Sequence, residues 1–298
     1  MQPTTRRILN SIAALFAAAF LATSGAGAQD PSWFNPFPAF RIADNIYYVG
    51  TEGLANYLIT TPQGHILINS DFEVSVPRIR ASVESLDFKF GDIKILLISH
   101  AHNDHVAGSA MIKKMTGADY MVMDADIPVV ESGGASDFAY GADLAMHFPI
   151  TKVDRVLHDG DTVRLGDAVL VAHRTPGHTK GNTTWTMQAM DHGTRRSVLI
   201  LGGLNVSDGY RLVGNAQYPT IADDYARSFD VLRTLPCEIF LGAHGSYFEL
   251  SAKYARLKNG DQSAFVDSAG CRAFLSEREE AFRTELAKQR AAAHGRLP

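Results

Sequence analysis

Residues 100–105 of the segment Ser99-His100-Ala101-His102-Asn103-Asp104-His105 place three imidazoles and one carboxylate within six consecutive positions. A lone histidine is ordinarily a satisfied polar residue. Four such groups packed this tightly would need partners once buried, or would charge and repel one another. Imidazole nitrogen and carboxylate oxygen suit Zn2+, which takes about four ligands and in catalytic sites keeps one position open or water-filled. Two further histidines stand in comparable places. His178 lies in the Pro-Gly turn Thr175-Pro176-Gly177-His178-Thr179, and His244 in Gly242-Ala243-His244-Gly245, each directly after an apolar run. Loops at strand ends are where scaffolds commonly present functional groups. His65, His147, His158, His173, His192 and His294 lack that context and read as surface or ordinary structural residues.

The elements that must hold these groups can be read from periodicity. Short apolar runs predict strands at Asn45 to Val49, Ala55 to Ile59, His65 to Ile68, Ile93 to Ser99 and Tyr120 to Met123. A second series is predicted at Thr162 to Leu165, Ala168 to Ala172, Thr183 to Met187, Ser197 to Leu201 and Glu238 to Leu241. Val76, Ile79, Val83 and Leu86 share one helical face. Ala110, Met111 and Met115 suggest a helix after the histidine cluster, and Ile221, Tyr225, Phe229 and Leu232 another. A C-terminal helix is predicted to start at the capping box Ser276/Glu279. Glu131 to Pro149 has no clear period and reads as a long loop, a kind of segment that is often functional. Strands in both halves with interspersed helices argue for a layered α/β protein, whose sheet order periodicity cannot assign.

The chain has 298 residues, 46% hydrophobic and 20% charged, enough for a sizeable core in one large domain. Its formal net charge of −4 carries no basic excess, which argues against a nucleic-acid partner. Residues 1–28 read as a signal peptide: Arg6 and Arg7 form a basic start, Ile8 to Thr23 is mostly apolar, and Ala26-Gly27-Ala28 offers a cleavage site. Export to the periplasm, with no stable membrane association after cleavage, is the expectation for residues 29–298. The two cysteines, Cys237 and Cys271, would then meet an oxidising compartment. A disulfide between them is favoured, with two buried free thiols as the alternative.

Taken in order and spacing, the His-x-His-x-Asp-His cluster, the Pro-Gly-His turn and the Gly-Ala-His loop resemble the metallo-β-lactamase superfamily. The narrower resemblance, over nearly the whole mature length, is to the third subclass of zinc-dependent (class B) β-lactamases. It rests on Gly50-Thr51-Glu52-Gly53, on Thr183-Thr184-Trp185 downstream of the His178 turn, on Gly209-Tyr210-Arg211-Leu212 and on the spacing of Cys237 and Cys271. This resemblance implies an αβ/βα sandwich of two mixed sheets with helices on the outer faces. It also implies two Zn2+ ions per chain, one held by His100, His102 and His178, the other by Asp104, His105 and His244. The implied reaction is hydrolysis of a small-molecule β-lactam by a metal-bridging hydroxide that Asp104 orients, in a monomer.

Lactonases, phosphodiesterases and thioesterases of the glyoxalase II type share the superfamily motif. In many of them a carboxylate near Leu201 bridges both metals, whereas here no Asp or Glu lies between Arg196 and Asp208. That favours the β-lactamase reading; another hydrolase of the fold and a catalytically silent zinc-binding protein are the alternatives. Two departures from the family pattern stand out. Gly203-Leu204-Asn205-Val206-Ser207 replaces the serine-bearing stretch that holds the substrate carboxylate, making Asn205 and Ser207 the candidate replacements. Asn69 stands where many members have an aspartate bracing the metal loop, a role Asp71 could take instead.

Overall fold

A computed structural model describes residues 30–295; the segment read as a signal peptide lies outside them. The first sheet has seven strands in sequential order: β1 (Phe40–Ala43), β2 (Ile46–Tyr48), β3 (Tyr57–Thr61), β4 (Gly64–Ile68), β5 (Ile93–Leu97), β6 (Asp119–Met123) and β7 (Arg155–Leu157). Pairing is antiparallel from β1 to β4 and parallel from β4 to β7. The second sheet follows in the chain as β8 (Thr162–Leu165), β9 (Ala168–Arg174), β10 (Thr183–Asp191), β11 (Thr194–Leu201) and β12 (Ile239–Gly242), in the order β12-β11-β10-β9-β8. Only β11 and β12 are parallel there.

Side chains alternate across a strand, so the inner strands of the first sheet, β2 to β6, serve two cores, whereas the edge strands β1 and β7 contribute only to the core between the sheets. Tyr57, Ile59, Ile66, Ile68, Ile95, Leu97, Met121 and Met123 face the second sheet, where Leu170, Trp185, Met187 and Ile200 join them. Leu58, Leu67, Leu96, Tyr120 and Val122 face the other way. They pack under α1 (Val76–Glu84), the short α2 (Asn103–Val106), α3 (Ser109–Thr116) and α4 (Ile127–Glu131). Burial on both faces is why β5 and β6 read as continuous apolar runs. Outside the second sheet, α5 (Ile221–Thr234) buries Ile221, Tyr225, Phe229 and Leu232. The last two helices are α6 (Leu250–Lys258) and α7 (Ser268–His294), and Phe282 of α7 stacks on Tyr225 at 5.2 Å. The product is the αβ/βα sandwich that the resemblance implied. Among the described residues no helix is long and apolar enough to cross a membrane.

One expectation needs correction, and three elements, β1, β7 and α6, had no counterpart in the sequence reading. The last helix starts at Ser268, not Ser276: Asp267 caps it by accepting the Gly270 N–H at 2.8 Å, while Glu279 lies on the helix surface and pairs with Arg283 at 2.6 Å. A Ser-x-x-Glu spacing inside a surface helix mimics a cap without being one. Strands β1 and β7, the edges of the first sheet, were not predicted; Arg155 and Val156 of β7 are exposed, so Leu157 alone marks it as part of the core. Helix α6 also escaped the pattern, since it begins immediately after Glu249, a non-glycine residue with φ of 55°. Cys237 and Cys271 are joined in a disulfide that fastens the approach to β12 onto the first turn of α7.

Candidate metal centre

All six candidate ligands converge at one edge of the sandwich, where strands of both sheets end. After β5 the chain bends at Ser99, Ala101 and His102 before entering α2, the turn carrying Asp104 and His105; His102 itself has extended backbone (φ −94°, ψ 151°) at the position preceding that turn. His100 and His102 flank Ala101 in this bent segment, and a ligand atom of each reaches the group completed by His178. The second sheet clamps this segment: the Trp185 indole donates to the Ile98 carbonyl at 3.0 Å, and the Thr183 N–H to the Ser99 carbonyl at 2.7 Å. From the first sheet, Asn69 at the end of β4 accepts the Ser99 N–H at 2.8 Å and donates to the Ala55 carbonyl at 3.1 Å. The brace expected of an aspartate is therefore made by Asn69 itself. Asp71 sits below, buried, accepting from the Asn56 amide at 3.0 Å.

His178 lies in the turn from β9 to β10, its Nδ1 2.8 Å from the Asn205 carbonyl. Gly203 is packed so closely on this ring that a Cβ there would stand 2.1 Å from His178 Cδ2. His244 follows β12 in extended conformation, held by a bridge to Leu54 and flanked by the Trp33 indole at 5.8 Å. The aromatic lead thus forms part of the site's wall.

Hydrogen bonding decides which nitrogen each ring presents. His100 Nδ1 meets Ser99 Oγ at 3.1 Å, leaving its buried Nε2 without a partner. His178 likewise presents Nε2. His102 turns Nε2 toward the Tyr210 hydroxyl at 3.3 Å and Asp137 Oδ2 at 3.9 Å, so Nδ1 faces the other ligands. Ligand atoms of His100, His102 and His178 lie within 4.8 Å of one another, as do those of His100, Asp104 and His105. His105 Nε2 stands 3.2 Å from His244 Nε2, and Asp104 Oδ2 is 3.1 Å from the first and 3.6 Å from the second. Imidazole nitrogens converging on each other and on one carboxylate, with an orphaned buried nitrogen among them, are a donor set matched to Zn2+.

Electrostatics agree. Burial first, and then the neighbouring imidazoles, hold His100 well below its ordinary pKa. Burial likewise takes His102 down to about 4, and His178 and His244 to about 3. Neutral imidazole is the form that binds metal. For Asp104, burial pushes upward, but the facing His105, His244 and His102 prevail and hold it well below the carboxylate range.

The remaining histidines described belong to neither ligand group; His65 is buried on β4, and His173 bonds Thr186 across the second sheet. Asn103 points its amide at the Met146 sulfur of the long loop, 3.8 Å away. The Asn205 side chain is engaged by Arg278 at 3.2 Å, and Ser207 lies by the hydroxyls of Tyr140 and Tyr210. Sequence reasoning missed Asp126, Asp137, Tyr140 and Tyr210. Local signals were the position of Asp126 just past β6, that of Asp137 and Tyr140 in the aperiodic 131–149 segment, and that of Tyr210 in the Gly209-Tyr210-Arg211-Leu212 stretch, which carries the family resemblance without giving the tyrosine a role.

Residues 54–192 match the family model described as the metallo-beta-lactamase superfamily. The native FEZ-1 metallo-beta-lactamase from Legionella gormanii superposes with a TM-score of 0.85 at 55% identity, over 86% of this chain and 98% of that one. The class B3 di-zinc metallo-beta-lactamase LRA-12 from an Alaskan soil metagenome gives 0.82 at 36% identity, over 86% and 97%. A curated relative, the hydroxyacylglutathione hydrolase of Methylobacterium sp. (strain 4-46), is 29% identical over 112 residues, which are 38% of this chain and only 36% of that enzyme. With two-sheet architecture, histidine cluster and near-complete coverage of these β-lactamases in agreement, the chain belongs to the metallo-β-lactamase superfamily, in the company of its class B3 enzymes.

Proposed function

We propose that this chain is a zinc-dependent β-lactamase that hydrolyses the amide of β-lactam antibiotics in the periplasm as a monomer. His100, His102 and His178 would hold one Zn2+, and Asp104, His105 and His244 a second. The observation that carries the reading is the convergence of these six side chains, in a chain 55% identical to a metallo-β-lactamase along nearly its whole length. Zn2+ held by these residues would supply a Lewis acid for a substrate carbonyl and a water whose pKa lies near neutrality, so no side-chain nucleophile would be required. Asp104, acceptor-only and set between His105 and His244, orients the attacking water by taking its hydrogen bond. His178 and His102 are fixed in the required tautomers by Asn205 and by Tyr210.

The substrate carboxylate is assigned to the loop after β11, at Asn205 and Ser207. Replacing both by alanine should raise KM about tenfold for a cephalosporin with kcat nearly kept, the effect of losing hydrogen bonds to a charged group. An unchanged KM would remove the pair from this role.

A panel at equal enzyme concentration tests the substrate class. A chromogenic cephalosporin should be cleaved far faster than a glutathione thioester or a lactone, and a serine-directed β-lactamase inhibitor should not slow it. Faster thioester or lactone cleavage would overturn the substrate assignment, and no turnover on any of the three would favour a silent zinc protein.

A further inference from the structure

Asp126, at the start of α4, is buried and takes no part in the ligand set. Its carboxylate accepts three hydrogen bonds, from the Ala101 N–H at 2.9 Å, the Thr179 hydroxyl at 2.8 Å and the Gly181 N–H at 2.7 Å. Ala101 stands between His100 and His102, and Thr179 follows His178. One side chain therefore ties together the two chain segments that carry all three ligands of the first zinc. The approach is too close for any side chain at residue 181: a Cβ on Gly181 would lie 2.5 Å from the Asp126 nitrogen and 2.7 Å from its Cβ. All three partners donate and all are neutral, so the carboxylate serves as acceptor only. Three neutral imidazoles leave a dication uncompensated, and this buried carboxylate stands just behind them.

We propose that Asp126 is a positioning residue of the first zinc site, holding the His100–His102 segment and the His178 turn at ligand distance and placing an anionic charge behind them. The inference rests on the zinc site proposed above. Hydrogen-bonded groups behind metal ligands commonly contribute 10- to 100-fold to affinity, on the order expected here.

Asp126→Asn preserves size but turns one acceptor into a donor that faces other donors. Zinc affinities of the wild type and the variant would be measured in competition with a chromophoric chelator, alongside melting temperatures of apo and zinc-loaded protein. One of the two zinc-binding steps should weaken by at least about tenfold while the other is nearly kept, and the rise in Tm on adding zinc should shrink. A residue that merely supports the fold would lower both melting temperatures equally and leave both affinities unchanged; that result overturns the proposal. If Asp126→Asn does not fold, Thr179→Val, which deletes a single donor, is judged by the same two readouts with a smaller loss expected. Wild-type protein that binds no zinc would instead refute the zinc site itself, a failure visible before any variant is compared.

Discussion

Asp104→Ala should lower kcat by at least about a hundredfold while the fold survives, the size expected when a reacting group loses its positioning and a proton-handling partner. Asp104 has two tasks. Its Oδ2 lies within 3.6 Å of both His105 Nε2 and His244 Nε2, so it completes the second ligand set. It is also the sole anion among the six ligands, and its removal leaves a pair of dications with one more uncompensated charge. Occupancy of the second site should therefore fall first, with the three-imidazole site persisting. Zinc per chain measured together with turnover decides the point: near-normal activity with two zincs bound would show that Asp104 does neither task. Helix α2 packs through Val106 and the segment before it is clamped by Trp185 and Thr183, so circular dichroism should remain that of the wild type.

The ligands were legible because their information is local. Four lie within six residues, and the other two sit in turns punctuated by glycine and proline directly after apolar strands. Most strands were legible as short apolar runs, and α1 and α5 because each buries one repeating face; α3 lies where a helix was expected, but it buries Ser109 and Ile112, while Ala110 and Met111 are half-buried and Met115 is exposed. What supports the ligands was not legible, because its partners are remote in sequence. Asp126 works across separations of 25, 53 and 55 residues, and Tyr210 reaches His102 across 108. Asn69 shows the same limit differently. A family pattern suggested an aspartate there, yet the position needs one acceptor for Ser99 and one donor for Ala55, which an amide supplies and a carboxylate does not. Sheet order and the true start of α7 likewise depended on contacts that no period records.

Stripping zinc with a strong chelator should abolish hydrolysis, adding Zn2+ should restore it, and the stripped protein should become acid-sensitive in a defined window. In unfolded chains histidine titrates near 6.5. In the fold, burial holds His102 at about 4, His178 and His244 at about 3, and His100 well below its ordinary value. Above about pH 6.5 these rings are neutral in both states and contribute no pH dependence. As the pH falls from there toward 4, the unfolded chain binds protons that the fold refuses, so stability drops. Buried carboxyls act in the opposite sense. Burial raises Asp71 to about 7 and Asp126 to about 6, and raises Asp137 as well, so the fold takes up these protons first. The imidazoles outnumber them, since His65 and His173 are also lowered by burial. Each net proton is worth about 1.4 kcal/mol per pH unit, so the melting temperature of the apo protein should fall clearly between pH 6.5 and 5. Zinc-loaded protein should resist further, because protons must first displace the metal, and should then lose zinc and stability together. Scanning calorimetry of both forms at half-unit steps checks this. An apo melting temperature that stays level or rises over that interval would mean that the buried carboxyls, not the imidazoles, govern the response to acid.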